Sequence, residues 1–247
     1  MTPADFNLAK MWTEYINRVV GVIIGLFVLA TLVRAMIPPT RTSFRLTALA
    51  AFFLVALNGW LGAQVVKSGL KPGMITTHLI CAILLMASLV FLVVETRNSS
   101  RGEKATAPRW IPFGLLGVTV VQIVLGARVR EALGFFEKTA AAEETARGEW
   151  LAQIPYWTDH LHRLGSWIVL ALAIILVISA LKGRLSGHTN LSKAIGAVVV
   201  LQIGYGIALA YAGLPPVFQF LHLGFASVLV CLELYLVFSL RNQAAPI

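Results

Sequence analysis

Glu14-x-x-Asn17-Arg18 and Asp159-x-x-His162-Arg163 are one pattern written twice: an acid, a polar amide or ring three residues on, then an arginine, each at the head of a long apolar stretch. Two further histidines, His78 and His222, each follow a Gly-Leu-x-Pro turn at the head of another apolar stretch. Facing imidazoles from opposite helices of a four-helix bundle bind heme iron axially, the protein supplying ligands and orientation. His162 with His222 is therefore one candidate pair, and Asn17 with His78 is its counterpart. A lone histidine near a helix start more often just hydrogen-bonds a neighbouring helix. Recurrence at equivalent positions favours the ligand pair over that reading.

An acid-x-x-His start also occurs in di-iron bundles, where about four carboxylates share the metals. Here only Glu14 and Asp159 lie at a suitable position, and Glu233 is much deeper, eleven residues past His222 on nearly the same helix face. Arg18 and Arg163 each follow a candidate ligand position. They can donate to heme propionates, snorkel, or pair with Glu14 and Asp159 one turn earlier, which is favoured for Arg163. His160 points roughly 160° away from His162 on the helix wheel and reads as interfacial.

The elements that position these groups must be membrane helices. Of 247 residues, 58% are hydrophobic and 13% charged, and the mean hydropathy is +0.81, which leaves a soluble fold with too much apolar surface. A span needs roughly 20 apolar residues, and seven windows qualify, at about 14–36, 44–66, 73–95, 110–130, 157–181, 191–212 and 216–240. The net charge of +9 does not point to nucleic acid, because the basic residues cluster in short loops. Arg34, Arg41 and Arg45, then Arg97, Arg101, Lys104 and Arg109, then Lys182, Arg184 and Lys193, and last Arg241 follow alternate spans. The positive-inside rule puts these segments in the cytoplasm, with the N-terminus outside and the C-terminus inside. The expected setting is a multi-pass protein of the bacterial cytoplasmic (inner) membrane. Lys67 and Lys71 dissent, and residues 131–156 form the longest and most acidic outer loop. Cys81 and Cys231 sit in separate spans and read as packing residues.

A shift of 145 residues lays Asn17 on His162, and a shift of 144 lays His78 on His222. Spans one to three thus correspond to spans five to seven, and span four, with VQIVLGARVRE at 121–131, has no partner. The fold class this predicts is all-α, a polytopic membrane protein whose seven transmembrane helices form two pseudo-symmetric bundles of three plus four helices. Its expected divisions are an N-terminal half-bundle over 1–98, an inner linker over 99–109 and a C-terminal four-helix bundle over 110–247. A duplicated four-helix unit that lacks its first helix explains the count; a natural seven-span protein is the alternative.

WTEYINRVVGVIIGL, GWLGAQVVKSGLKPGMITTHL, DHLHRLGSW and FLHLGFASVL resemble the second, third-to-fourth, sixth and eighth helices of the heme A synthases, a likeness running over nearly the whole chain from Trp12. The resemblance implies two four-helix bundles, heme b bound by His162 and His222, substrate heme O held by His78, and a catalytic acid at Glu14. It implies a membrane oxidoreductase that converts a methyl group of heme O to formyl, through hydroxylation, for a terminal oxidase. Heme O synthase, an electron donor and a second copy of the chain are candidate partners, besides the lipid bilayer. Asn17 stands where many members have histidine, so iron at that site would have one imidazole from His78 and an open side that Asn17 can hydrogen-bond. The first helix of the family pattern has no counterpart here. A membrane b-type cytochrome, or a heme-binding assembly factor without catalysis, is the alternative function. A transporter ranks below both, since the halves run parallel rather than inverted.

Overall fold

The computed structural model describes residues 8–69, 71, 73–97, 108–137, 139, 146, 149–185 and 187–242. Most of the expected linker, and the loop charges Arg101, Lys104, Lys138, Glu143, Glu144 and Arg147, lie outside the described residues.

Among the described residues the chain forms eight helices: α1 Leu8–Met36, α2 Thr42–Lys67, α3 Met74–Thr96, α4 Trp110–Phe136, the short α5 Trp150–Gln153, α6 Tyr156–Leu181, α7 Thr189–Tyr211 and α8 Pro216–Asn242. All but α5 are long and apolar enough to cross a membrane. A helix satisfies its backbone within itself, as hydrocarbon demands, and this is a polytopic membrane protein. Successive spans alternate in direction. The starts of α1, α3, α6 and α8 therefore share one end with the finishes of α2, α4 and α7, and we call this the histidine end.

The helices close differently in the two halves. In the second, α4 packs on α6, α6 on α7, α7 on α8 and α8 back on α4, a ring around a core of Leu115, Leu176, Ile195, Val199 and Leu236. In the first, α1 packs on α2 and α2 on α3, with small separate cores around Val28, Ala51 and Leu85 and around Ala35, Ala48 and Leu92. Helix α1 is covered on one side only: 11% of its membrane window is buried, against 39% for the last span. The halves join where α3 meets α4 and α8, through Ile83, Val230 and Leu234. At the end away from the histidines, Arg97 donates to the Tyr235 hydroxyl at 2.9 Å across this joint.

Helix α4 departs from the sequence expectation, which placed Glu131 in an acidic outer loop. The helix runs on to Phe136, and Glu131 is buried. The reason is the start of α3, where Gly73 adopts a left-handed φ of 86° and no side chain of its own segment caps the helix. Glu131 Oε1 accepts from the Gly73 amide at 3.0 Å, the Thr76 amide at 3.2 Å and the Thr76 hydroxyl at 2.9 Å. Arg128 donates to Oε2 at 2.8 Å. A carboxylate from another helix thus satisfies amides that a helix start leaves unpaired, where its negative charge also suits the helix dipole. Replacing Glu131 by Ala strands these donors and is expected to cost about 2 kcal/mol, read as a lower melting temperature in detergent; an unchanged melt would remove the clasp from the fold's support.

Candidate functional site

The closed ring carries the pair the sequence singled out. His162 lies six residues past the start of α6 and His222 six past the start of α8, so both sit at the same level on helices diagonal to one another. Their ring centroids lie 6.4 Å apart with the planes at 82°. Two imidazoles bound through nitrogen to one metal at about 2.0 Å would have centroids roughly 6.3 Å apart. The gap would therefore accommodate one metal ion between the two imidazoles, and the donor type fits heme iron. Among the described residues no group of three His, Cys, Asp or Glu side chains converges as a metal cluster, so what the structure offers is this two-imidazole arrangement.

The backbone of each ligand candidate is tied to a neighbouring helix. Gln122 on α4 donates its side-chain amide to the backbone carbonyl of His162, and Gln202 on α7 donates to the carbonyl of His222 at 2.9 Å. In both rings Nδ1 is buried without a hydrogen-bond partner. His78 on α3 repeats the arrangement: its Nδ1 is likewise buried and unpaired, and its ring lies against α2 at Gly62. The glutamines and the glycines beneath the rings escaped the sequence reading. The signal was present, since the shift of 144 that aligns the histidines also lays Asn58 on Gln202 and Gly62 on Gly206.

The remaining predicted residues fall elsewhere. Asn17 lies six residues past the start of the first membrane span at Met11, the same offset as His162 and His222 on theirs. Glu14 is exposed on the protein surface, and its Oε1 accepts from Arg18 at 2.6 Å. Asn17 is exposed too. Among the described residues no hydrogen bond or ring contact joins Asn17 to His78, and α1 and α3 face each other only diagonally. Arg163 pairs with Asp159 at 2.7 Å, so both arginines take the ion-pair option. His160 is exposed and stacked on Tyr156, with ring centroids 3.4 Å apart.

Glu233, left without a role by the sequence, is almost fully buried between α8 and α4, where the Thr119 hydroxyl donates to Oε1 at 3.0 Å. Its Oε2 has no partner. Thr119→Val removes the one bond this carboxyl makes, with an expected cost of about 1–2 kcal/mol. In a Glu233→Met background the same change should cost nothing, and melting curves of the four proteins check this as a double-mutant cycle.

Residues 1–234 match the family model described as cytochrome oxidase assembly protein. A heme A synthase of Rhizorhabdus wittichii is 29% identical over 86% of this chain and 66% of its own length. One from Caulobacter vibrioides is 27% identical over 94% and 74%, and one from Sphingopyxis alaskensis 27% identical over 99% and 74%. The chain thus spans about two thirds to three quarters of the curated relatives it matches.

Proposed function

The chain belongs to the cytochrome oxidase assembly family, and from that premise we propose that it is a heme-binding membrane oxidoreductase that turns a methyl group of heme O into the formyl group of heme A. The observation that carries this is the His162–His222 pair, two imidazoles with ring centroids 6.4 Å apart inside a closed bundle.

In this reading His162 and His222 hold heme b in the C-terminal half, residues 110–247. When bound, that heme supplies one-electron redox chemistry. The protein's part is to set the ligands and the surroundings. The apolar ring of α4, α6, α7 and α8 keeps water away, and Gln122 and Gln202 tie the backbone of each ligand to the next helix. In the N-terminal half, residues 1–98, His78 holds substrate heme O by one face and Asn17 offers an amide to the other. Glu14 moves protons at the reacting carbon. Its partner Arg18, on the next turn, orients the carboxylate, and a general acid or base in such a position contributes about 10²–10⁴-fold. Arg163 and Asp159 form the matching ion pair in the other half. The orientation that puts both sites near the outer leaflet rests on the positive-inside rule.

The second reading is a membrane b-type cytochrome, or an assembly factor that binds heme without turning it over. It is favoured by the closed second half, which needs nothing from α1. Pigment extracted from the purified protein separates the two: heme O and heme A beside heme b support the enzyme, whereas heme b alone supports the cytochrome. With heme bound by both imidazoles, the parent is expected to give a low-spin ferric EPR signal, lost in His162→Ala and in His222→Ala. Glu14→Gln is expected to lower heme A formation by about 10²-fold while that signal stays; parent-level heme A from this variant would remove Glu14 from the chemistry.

A further inference from the structure

All three histidines rest on a glycine of the neighbouring helix, and each glycine follows an amide residue by four: Asn58 and Gly62 on α2, Gln122 and Gly126 on α4, Gln202 and Gly206 on α7. A Cβ built on Gly62 would lie 3.3 Å from His78 Cε1, on Gly126 3.0 Å from His162 Cε1, and on Gly206 3.7 Å from His222 Cε1. Other glycines of the same helices, Gly59, Gly117 and Gly204, have nothing within 4 Å of that position. Close approach is not confined to the histidines, since a Cβ on Gly196 of α7 would lie 2.9 Å from Val177 Cγ2 and one on Gly134 of α4 3.3 Å from Arg130 Nη1. What sets Gly62, Gly126 and Gly206 apart is that each faces an imidazole and follows an amide residue by four.

The four-residue spacing has a physical meaning. In an α-helix the carbonyl of residue i points toward residue i+4 and bonds its amide with one lone pair, leaving the second free. A side chain at i+4 would screen that second lone pair; glycine uncovers it. The carbonyls of Asn58, Gln122 and Gln202 lie beside the rings of His78, His162 and His222, and each Nδ1 is buried with no other partner in place. Histidines that bind metal commonly donate their other ring N–H to a backbone carbonyl, which fixes the tautomer and the ring direction.

We propose that Gly62, Gly126 and Gly206 are positioning residues for axial ligation: each seats an imidazole flush on the adjacent helix, exposes the carbonyl four residues earlier to Nδ1–H, and so leaves Nε2 unprotonated for iron. This rests on the heme-binding reading above and extends it to residues that touch neither iron nor porphyrin. One geometry recurring at three places, two of them related by the internal repeat and one not, is accounted for by a requirement of the ligand itself.

The test compares Gly126→Ala with Gly117→Ala in the purified, heme-loaded full chain. Gly126→Ala is expected to weaken heme retention by about 10–100-fold and to convert the low-spin ferric spectrum to high-spin, with added imidazole restoring it; Gly117→Ala should keep the parent spectrum. Effects should follow the clearances, largest at Gly126 and smallest at Gly206. A Gly126→Ala protein with the spectrum and heme retention of Gly117→Ala overturns the proposal. A cycle with His162→Ala reads the seating without heme. Gly126→Ala should lower the melting temperature by about 4 °C when His162 is present and leave it unchanged when the imidazole is gone. An equal drop in both backgrounds makes the glycine a helix-packing residue and overturns the proposal as well. Should Gly126→Ala not fold, the same cycle at Gly62 and His78 decides. A parent that takes up no heme overturns the ligand reading, while the cycle still measures the seating.

Discussion

Adjacent helices in a bundle lie about 8–10 Å apart, so diagonal ones are separated by roughly 11–14 Å. Side chains reaching inward from a diagonal pair meet only if both are long or something stands between them. His162 and His222 start from such a diagonal, and their rings stop with centroids 6.4 Å apart. The rest of the second half serves that meeting. The ring of four helices fixes the diagonal, the core of Leu115, Leu176 and Ile195 holds the ring of helices closed below the histidines, and amide side chains from α4 and α7 tie the ligand-bearing backbone at its own level. Polar side chains are rare in hydrocarbon; here the three histidines and both acid–arginine pairs gather at one end, while Thr119 and Glu233 lie deeper.

The first half applies the same local rules to an incomplete perimeter. His78 sits against Gly62 as its counterparts do, because the α2–α3 hairpin repeats the α7–α8 hairpin with the same 16-residue interval from glycine to histidine. The tie is weaker, however. Asn58 is one methylene shorter than Gln202, and among the described residues it makes no bond to the His78 backbone like those of Gln122 and Gln202 to theirs. Among the described residues helix α1 has α2 as its only substantial neighbour, and Glu14, Asn17 and Arg18 are exposed. The exposure of these residues follows from which helix neighbours are in place, not from their own chemistry. Each of the acid–arginine pairs on α1 and α6 closes within one helix turn, so that part of the pattern forms whether or not the perimeter is complete.

Two buried carboxylates show how charge is handled away from the site. Glu131 has four donors and spans the joint between the halves. Glu233 has a single donor, Thr119, in an otherwise apolar joint between α4 and α8. The first replaces a missing helix cap, so its burial is compensated bond for bond. The second is not compensated in that way, and a carboxyl with one unpaired oxygen lowers stability relative to an apolar residue of similar size.

Seven spans, the repeat of Asp159-x-x-His162-Arg163 on Glu14-x-x-Asn17-Arg18, and the pairing of His162 with His222 were all legible from residue order, because hydrocarbon forces each span into a helix and duplication writes equivalent depths at equal intervals. The ion pairs of Arg18 and Arg163 were among the options for the same reason, being contacts within a single turn. Other features depend on which helix lies beside which. Glu131 looked like a loop acid because nothing in its own segment announces the uncapped start of α3, and the exposure of Glu14 reflects the neighbours of α1. The glycine seats were visible as letters but had no meaning until α4 was seen to lie under His162. Periodicity along a chain encodes the contacts a helix makes with itself, whereas contacts between helices require the perimeter to close, and that is settled by packing over all the spans at once.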